Sequence, residues 1–142
     1  MQRMTLALRY CHVTVTDHEA ALGFYRDALG LEVRNDVSSG GHRWVTLGIP
    51  DQPGTDIVLS DPYGGRSEAD GDTIAELVTK GVFGMVVFRT DDLDKVFEAA
   101  EASGAEVMQE PTEQPWGPRD CAFRDPAGNM VRIEQTTPAE QA

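Results

Sequence analysis

The feature that most restricts this chain is that it is written twice. "HVTVTDHEAALGFYRDALGLEVRND" begins at His12, and "MVVFRTDDLDKVFEAAEASGAEVMQEP" begins at Met85, about 75 residues later. Each copy runs from a β-branched stretch through an Asp, a helical pattern and a Gly into another strand. Asp17 and Asp91/Asp92 stand where a helix N-cap belongs. Ala21, Phe24, Tyr25 and Ala28 fall at i, i+3, i+4 and i+7, and so do Leu93, Val96, Phe97 and Ala100, giving each helix one apolar stripe. Gly30 and Gly104 sit at the C-terminal stops, where a left-handed residue is favoured.

Three strand patterns follow each helix. In the first half they are "LEVRNDV", "HRWVTLGI" and "TDIVLS", with "SSGG" as a hairpin turn. In the second they are "AEVMQEP", "PRDCAFRD" and "NMVRIEQ", the last two joined by "DPAG". The connector "DPYGGRSEADGD", residues 61–72, reads as a mobile surface loop, and "DTIAELVTKG" as a short helix after it. The chain is therefore expected to be one α+β domain of two tandem βαβββ modules, about residues 7–60 and 82–136, joined by a loop and short helix over 61–81. One helix cannot cover both faces of a four-stranded sheet. The modules should pack together as a curved mixed sheet around a central cup, helices outside.

Composition removes several classes of function. With 24 acidic and 12 basic residues the formal charge is −12, which argues against a nucleic-acid partner, whose phosphates need clustered Lys and Arg. No apolar run approaches the ~20 residues that span a bilayer. "MQRMTLALRY" lacks the apolar core and cleavage site of a signal peptide, so a cytoplasmic location and no membrane partner are expected. Cys11 and Cys121 form no CxxC and read as two buried thiols rather than a structural zinc site. No G-x-S-x-G, P-loop or dinucleotide fingerprint is present, so nucleophilic hydrolases and nucleotide-dependent enzymes have no support.

The paired units, the helix "D-x-x-x-A-L-x-F-Y-R-D-x-L-G" (Asp17 to Gly30) and the turn "R-D-P-x-G-N" (Arg124 to Asn129) resemble the vicinal-oxygen-chelate superfamily. This is the glyoxalase, bleomycin-resistance and extradiol-dioxygenase group, and the resemblance covers about residues 7–136. Its metal enzymes hold one divalent ion with three or four His, Glu or Gln side chains. The resemblance puts those positions at Tyr10, Met85 and Arg132, and near Val58 or Ser60, where Asp56 is the only carboxylate. Tyr, Met and Arg are not a divalent-metal set, and a guanidinium repels the ion. No cofactor is expected. The alternative is a divalent metal on a shifted set, His12 and Glu134 with Asp56 or His42.

A metal-free cup would present Tyr10, His12, Trp44, Met85, Trp116, Arg119, Cys121, Arg132 and Glu134 to a ligand. Around Arg119 either Arg119, Cys121 and Phe123 face inward, or their complement Asp120, Ala122 and Arg124 does. Arg132 can hold a carboxylate, phosphonate or enolate oxygen, or pair with Glu134 or an Asp and fix the sheet. Glu134 is the candidate catalytic base. The resemblance implies a binding protein for a small organic molecule, like the bleomycin-resistance branch, without the usual metal. The alternative is a metal-dependent lyase or isomerase of the glyoxalase kind using shifted ligands. A dioxygenase needs two His and a carboxylate around iron, and only His12, His18 and His42 exist. Whether any reaction is catalysed stays open. A homodimer is expected, because paired units of this superfamily often share sheets between chains.

Overall fold

The computed structural model describes residues 5–137. The first module holds strand β1 (Tyr10–Thr14), helix α1 (His18–Leu22), β2 (Glu32–Ser39), β3 (His42–Ile49) and β4 (Gln52–Ser60). Helix α2 (Glu68–Thr79) connects it to the second, made of β5 (Met85–Thr90), α3 (Leu93–Ala102), β6 (Glu106–Glu113), β7 (Arg119–Arg124) and β8 (Met130–Gln135). The expected α+β fold of two βαβββ units is thus present.

Local chemistry accounts for the boundaries. Asp17 Oδ1 accepts the Ala20 N–H at 3.1 Å, and Asp92 Oδ1 accepts that of Lys95 at 3.3 Å, so both expected caps form. Gly30 and Gly104 close the helices at φ of +86° and +91°. One departure lies in the first helix, which continues from α1 as a π-helical turn over Gly23–Ala28. The wider turn buries both neighbours Phe24 and Tyr25. The connector also differs from expectation. Ser67 caps α2 by accepting the Asp70 N–H, so the helix starts before the residue where the loop was expected to end. The loop that remains is tied down: Asp61 accepts the N–H groups of Tyr63 and Gly64, and Tyr63 Oη donates to Asp72 at 2.7 Å.

Each module forms a four-stranded mixed sheet, in order β1-β4-β3-β2 and β5-β8-β7-β6, with β1 parallel to β4 and β5 parallel to β8. Strand alternation gives each sheet two unlike faces. On the back faces Val13, Val45, Leu47 and Leu59 of the first sheet, and Cys121, Phe123, Val131 and Ile133 of the second, enter one hydrophobic cluster with Phe24, Tyr25 and Leu93. Phe24 of the first helix and Phe97 of α3 both pack on Phe123, with ring centroids 6.4 and 5.3 Å away.

Polar latches lock the seam between modules. Asn129 Nδ2 donates to the Thr14 carbonyl at 2.7 Å, and Tyr25 Oη donates to Asp125 at 2.6 Å. Asp125 Oδ1 also accepts the N–H groups of Ala127, Gly128 and Asn129, each at 2.9 Å. The "R-D-P-x-G-N" turn is therefore a folded carboxylate cradle. The back faces of both sheets thus contribute to one shared core. Among the described residues no helix is long and apolar enough to cross a membrane.

Candidate functional site

Register assigns the front faces. In the second sheet Met85, Val87 and Arg89 align with Met130, Arg132 and Glu134, and these with Arg124, Ala122 and Asp120. In the first, Tyr10, His12 and Thr14 align with Asp56, Val58 and Ser60, and those with Gly48, Thr46 and Trp44. The candidates Tyr10, His12 and Trp44 therefore share one face, and Met85, Arg132 and Glu134 share the other. Of the two possible sets on β7, Asp120, Ala122 and Arg124 is the one beside Arg132.

Arg132 Nη1 donates to Asp120 Oδ2 at 2.9 Å and to Gln109 Oε1 at 3.2 Å. The other Asp120 oxygen accepts from Gln114 Nε2 at 2.8 Å, so this buried carboxylate is fully engaged. Arg132 pairs with an Asp, as one of its two readings allowed, and Glu134 is not its partner. Among the described residues only Nη1 of this guanidinium is bonded, and the side chain keeps 31% of its surface exposed. Around it lie uncovered apolar groups, with Met85 exposed by 66% and Val87 by 50%.

The first sheet has a second anchored charge. Both oxygens of buried Asp56 are occupied, by Arg9 Nη1 at 2.5 Å and Arg34 Nη1 at 2.8 Å. Arg34 reaches this face because the strand pairing shifts between Val33 and Asn35. Its side chain lies across Gly48, where an added Cβ would fall 2.1 Å from the guanidinium. The Arg9 guanidinium sits 4.2 Å from the Tyr10 ring centre. His12 Nδ1 lies 3.3 Å from Ser60 Oγ.

Three candidates go elsewhere. Cys121 is fully buried on the back face, where burial first and Asp120 second push its thiol up to about 11. Arg119, also on that parity, donates to Asp94 of α3 at 2.8 Å. Trp116 stands 75% exposed in the β6–β7 loop. Cys11, expected to be buried, is exposed, because β1 is the edge strand of its sheet.

Within one chain the shifted metal set is divided between the sheets. His12 and Asp56 lie on one sheet and Glu134 on the other, and among the described residues no three His, Cys, Asp or Glu side chains group so as to hold a metal ion. Asp56 already balances two guanidinium groups, and Arg132 places a cation where the resemblance requires a donor. These residues do not fit the superfamily's divalent ion.

Two groupings escaped sequence reasoning. One is the Arg9–Asp56–Arg34 cluster, hidden by the bulge. The other joins His42 to Asp61, whose oxygens lie 3.1 and 3.0 Å from His42 Nδ1. Several cavities line the chain, a small one of about 70 Å³ bringing His12 and Thr14 of β1 against Met85 and Val86 of β5. One of about 570 Å³ is lined by Gly23, Phe24, Gly104, Arg124 and Ala127, and another of about 370 Å³ by Cys11, Leu47, Ile57, Val86 and Phe88.

Residues 7–133 match the family described as the Glyoxalase/Bleomycin resistance protein/Dioxygenase superfamily. The chain is 31% identical over 126 residues to the uncharacterized protein YurT of Bacillus subtilis, with 87% of this chain and 94% of YurT covered. Among solved structures, UcmS2 superposes with a TM-score of 0.82 at 30% identity, over 94% of this chain and 100% of UcmS2. TnmS3, described as an antibiotic binding protein from Streptomyces sp. CB03234, superposes with a TM-score of 0.72 at 25% identity, over 96% of this chain and 100% of TnmS3.

Proposed function

The chain belongs to the Glyoxalase/Bleomycin resistance protein/Dioxygenase superfamily, and we propose that within it the protein binds a small organic molecule on its front faces, with no metal at the superfamily's usual positions. The observation that carries this reading is Arg132. One nitrogen is clamped by Asp120 and Gln109, and the rest of the guanidinium faces an open surface bearing Met85 and Val87. A fixed cation beside uncovered apolar side chains suits a flat organic ligand with an oxyanion or carbonyl. The likeness to TnmS3, an antibiotic binding protein, supports the same class of ligand.

A homodimer belongs to this proposal. The front faces of one chain are open, with Tyr10, Met85 and Val87 exposed, and a second copy laying its β5–β8 face over the β1–β4 face of the first would close a cup. Tyr10, His12 and Trp44 would then come from one chain and Met85, Arg132 and Glu134 from its partner. Sedimentation velocity is expected to give a species of twice the chain mass. A cytoplasmic location goes with this reading.

The test is a thermal-shift screen of aromatic and peptide-like antibiotics with and without a chelator. Stabilisation by a compound, unchanged by the chelator, supports sequestration. Stabilisation by divalent ions, or a compound response abolished by the chelator, overturns the metal-free reading.

A further inference from the structure

At the loop end of the first front face, His42 and Asp61 form a pair with the layout of a proton-accepting dyad. A carboxylate only accepts, so His42 Nδ1 carries the proton that is shared with Asp61 at 3.0–3.1 Å. The Nε2 lone pair is left, and among the described residues it has no hydrogen-bond partner. Asp61 is itself held in place, its Oδ1 accepting the N–H groups of Tyr63 at 2.7 Å and Gly64 at 2.8 Å. Burial alone would raise the Asp61 carboxyl, but those two N–H bonds and His42 outweigh it and hold it below its usual range. The loop behind it is pinned by Tyr63 Oη on Asp72 and by Arg66 Nη1 on the Pro62 carbonyl. This is an orienting shell of the kind that fixes the tautomer and direction of a working imidazole.

The dyad stands next to an aromatic plane. His42 and Trp44 are two residues apart on one strand and share its face, their ring centres 6.1 Å apart. Gly64 packs against both: a Cβ there would lie 3.3 Å from the Trp44 ring and 3.7 Å from His42. The loop thus covers one side of the pair without a side chain. His42 is about one-third exposed and neither buried as core nor free as surface. Asp61 is the charged group facing His42. Ser39 lies opposite it on β2, and neighbouring Arg43 is taken by Asp36 and Glu19.

We propose that the His42–Asp61 dyad, with Trp44, forms a recognition site for a hydroxyl-bearing aromatic ring, which stacks on Trp44 and passes its hydroxyl proton to His42 Nε2. The ligand O–H bond breaks heterolytically, the electron pair stays on the phenolic oxygen, and the imidazolium keeps its Nδ1–H on Asp61. No oxidant, metal or second reactant is required. This names a ligand class for the proposed front-face site and rests on that reading.

The test uses m-nitrophenol, which ionises above neutral pH where an ordinary imidazole is neutral and whose phenolate absorbs at longer wavelength than the phenol, and m-nitroanisole, which has no proton to give. One pH unit below the free phenol's pKa about one-tenth is ionised, and the dyad is expected to raise the ionised fraction of bound phenol about fivefold. His42→Asn keeps a donor to Asp61 but removes the acceptor, so bound nitrophenol should stay protonated; Asp61→Asn should lower its ionised fraction. Melting temperatures report whether each variant is folded. A purely structural clasp would leave the ionised fraction unchanged in His42→Asn, and that result overturns the dyad. So does wild-type protein that binds both probes in equilibrium dialysis without ionising the phenol, an outcome that leaves the front-face reading standing. Binding of neither probe removes the aromatic site along with the dyad.

Discussion

Tyr25 Oη donates to Asp125 at 2.6 Å across one hundred residues of sequence, joining the helix motif of the first module to the turn motif of the second. Two segments that look independent in the chain are halves of one latch. Burial first, then the charge and hydrogen bond of Asp125, keep the Tyr25 phenol protonated well beyond its usual value of 10.0. A folded-state pKa above the unfolded one contributes stability that is complete below about 10 and is lost as pH rises through the folded value. Tyr25→Phe is therefore expected to lower stability by about 1–2 kcal/mol at neutral pH in urea unfolding, and the gap from wild type should narrow above pH 10. A gap that does not change with alkaline pH contradicts this.

Gly128 is the residue of that turn that tolerates least. Its φ is +119°, and an added Cβ would lie 2.4 Å from the Val78 carbonyl oxygen at the end of α2. Backbone strain and a clash with rigid main chain combine, so Gly128→Ala should cost at least about 2 kcal/mol. Gly40, also at positive φ but with open space around it, should cost less on the same substitution. Denaturant midpoints of the two variants check the order.

The two thiols should part company in reactivity. Cys121 is fully buried with its thiol pushed up to about 11, while Cys11 is exposed. A disulfide reagent at pH 8 is expected to titrate one thiol per native chain and two after denaturation. The Cys11→Ser variant should show none in the native state.

The Arg132–Asp120 pair is both a brace and part of the proposed site. Removing the guanidinium strands a buried carboxylate that keeps only Gln114, so Arg132→Ala is expected to cost about 1–3 kcal/mol. Asp120→Asn leaves an acceptor oxygen in place and should cost less. Chemical denaturation of both variants tests that order.

Much of this architecture was legible because its signals are local. Asp17 and Asp92 cap, Gly30 and Gly104 stop, and "DPAG" turns, each from chemistry within a few residues. The start of α2 was visible too, in Ser67 ahead of Asp70, but the glycines around it read as loop. The face of β7 could have been counted across the hairpin, since the tight turn puts Ala122 opposite Arg132 and Asp120 beside it. Arg34 could not, because a shift in strand pairing breaks the alternation that would have placed it. The π-helical turn, the exposure of Cys11 and the pairing of His42 with Asp61 depend on tertiary placement, on which residue spacing is silent.

Metal-independent binding of a small organic molecule at the Arg132 face is open to direct measurement. Calorimetric titration of the best thermal-shift ligand into wild-type and Arg132→Gln protein, with chelator throughout, tests it most directly. Stoichiometric binding to the wild type is expected, with a loss of about tenfold or more in the folded variant, the worth of one charge-assisted hydrogen bond. Equal affinity in both proteins, or binding that appears only when a divalent ion is restored, would contradict it.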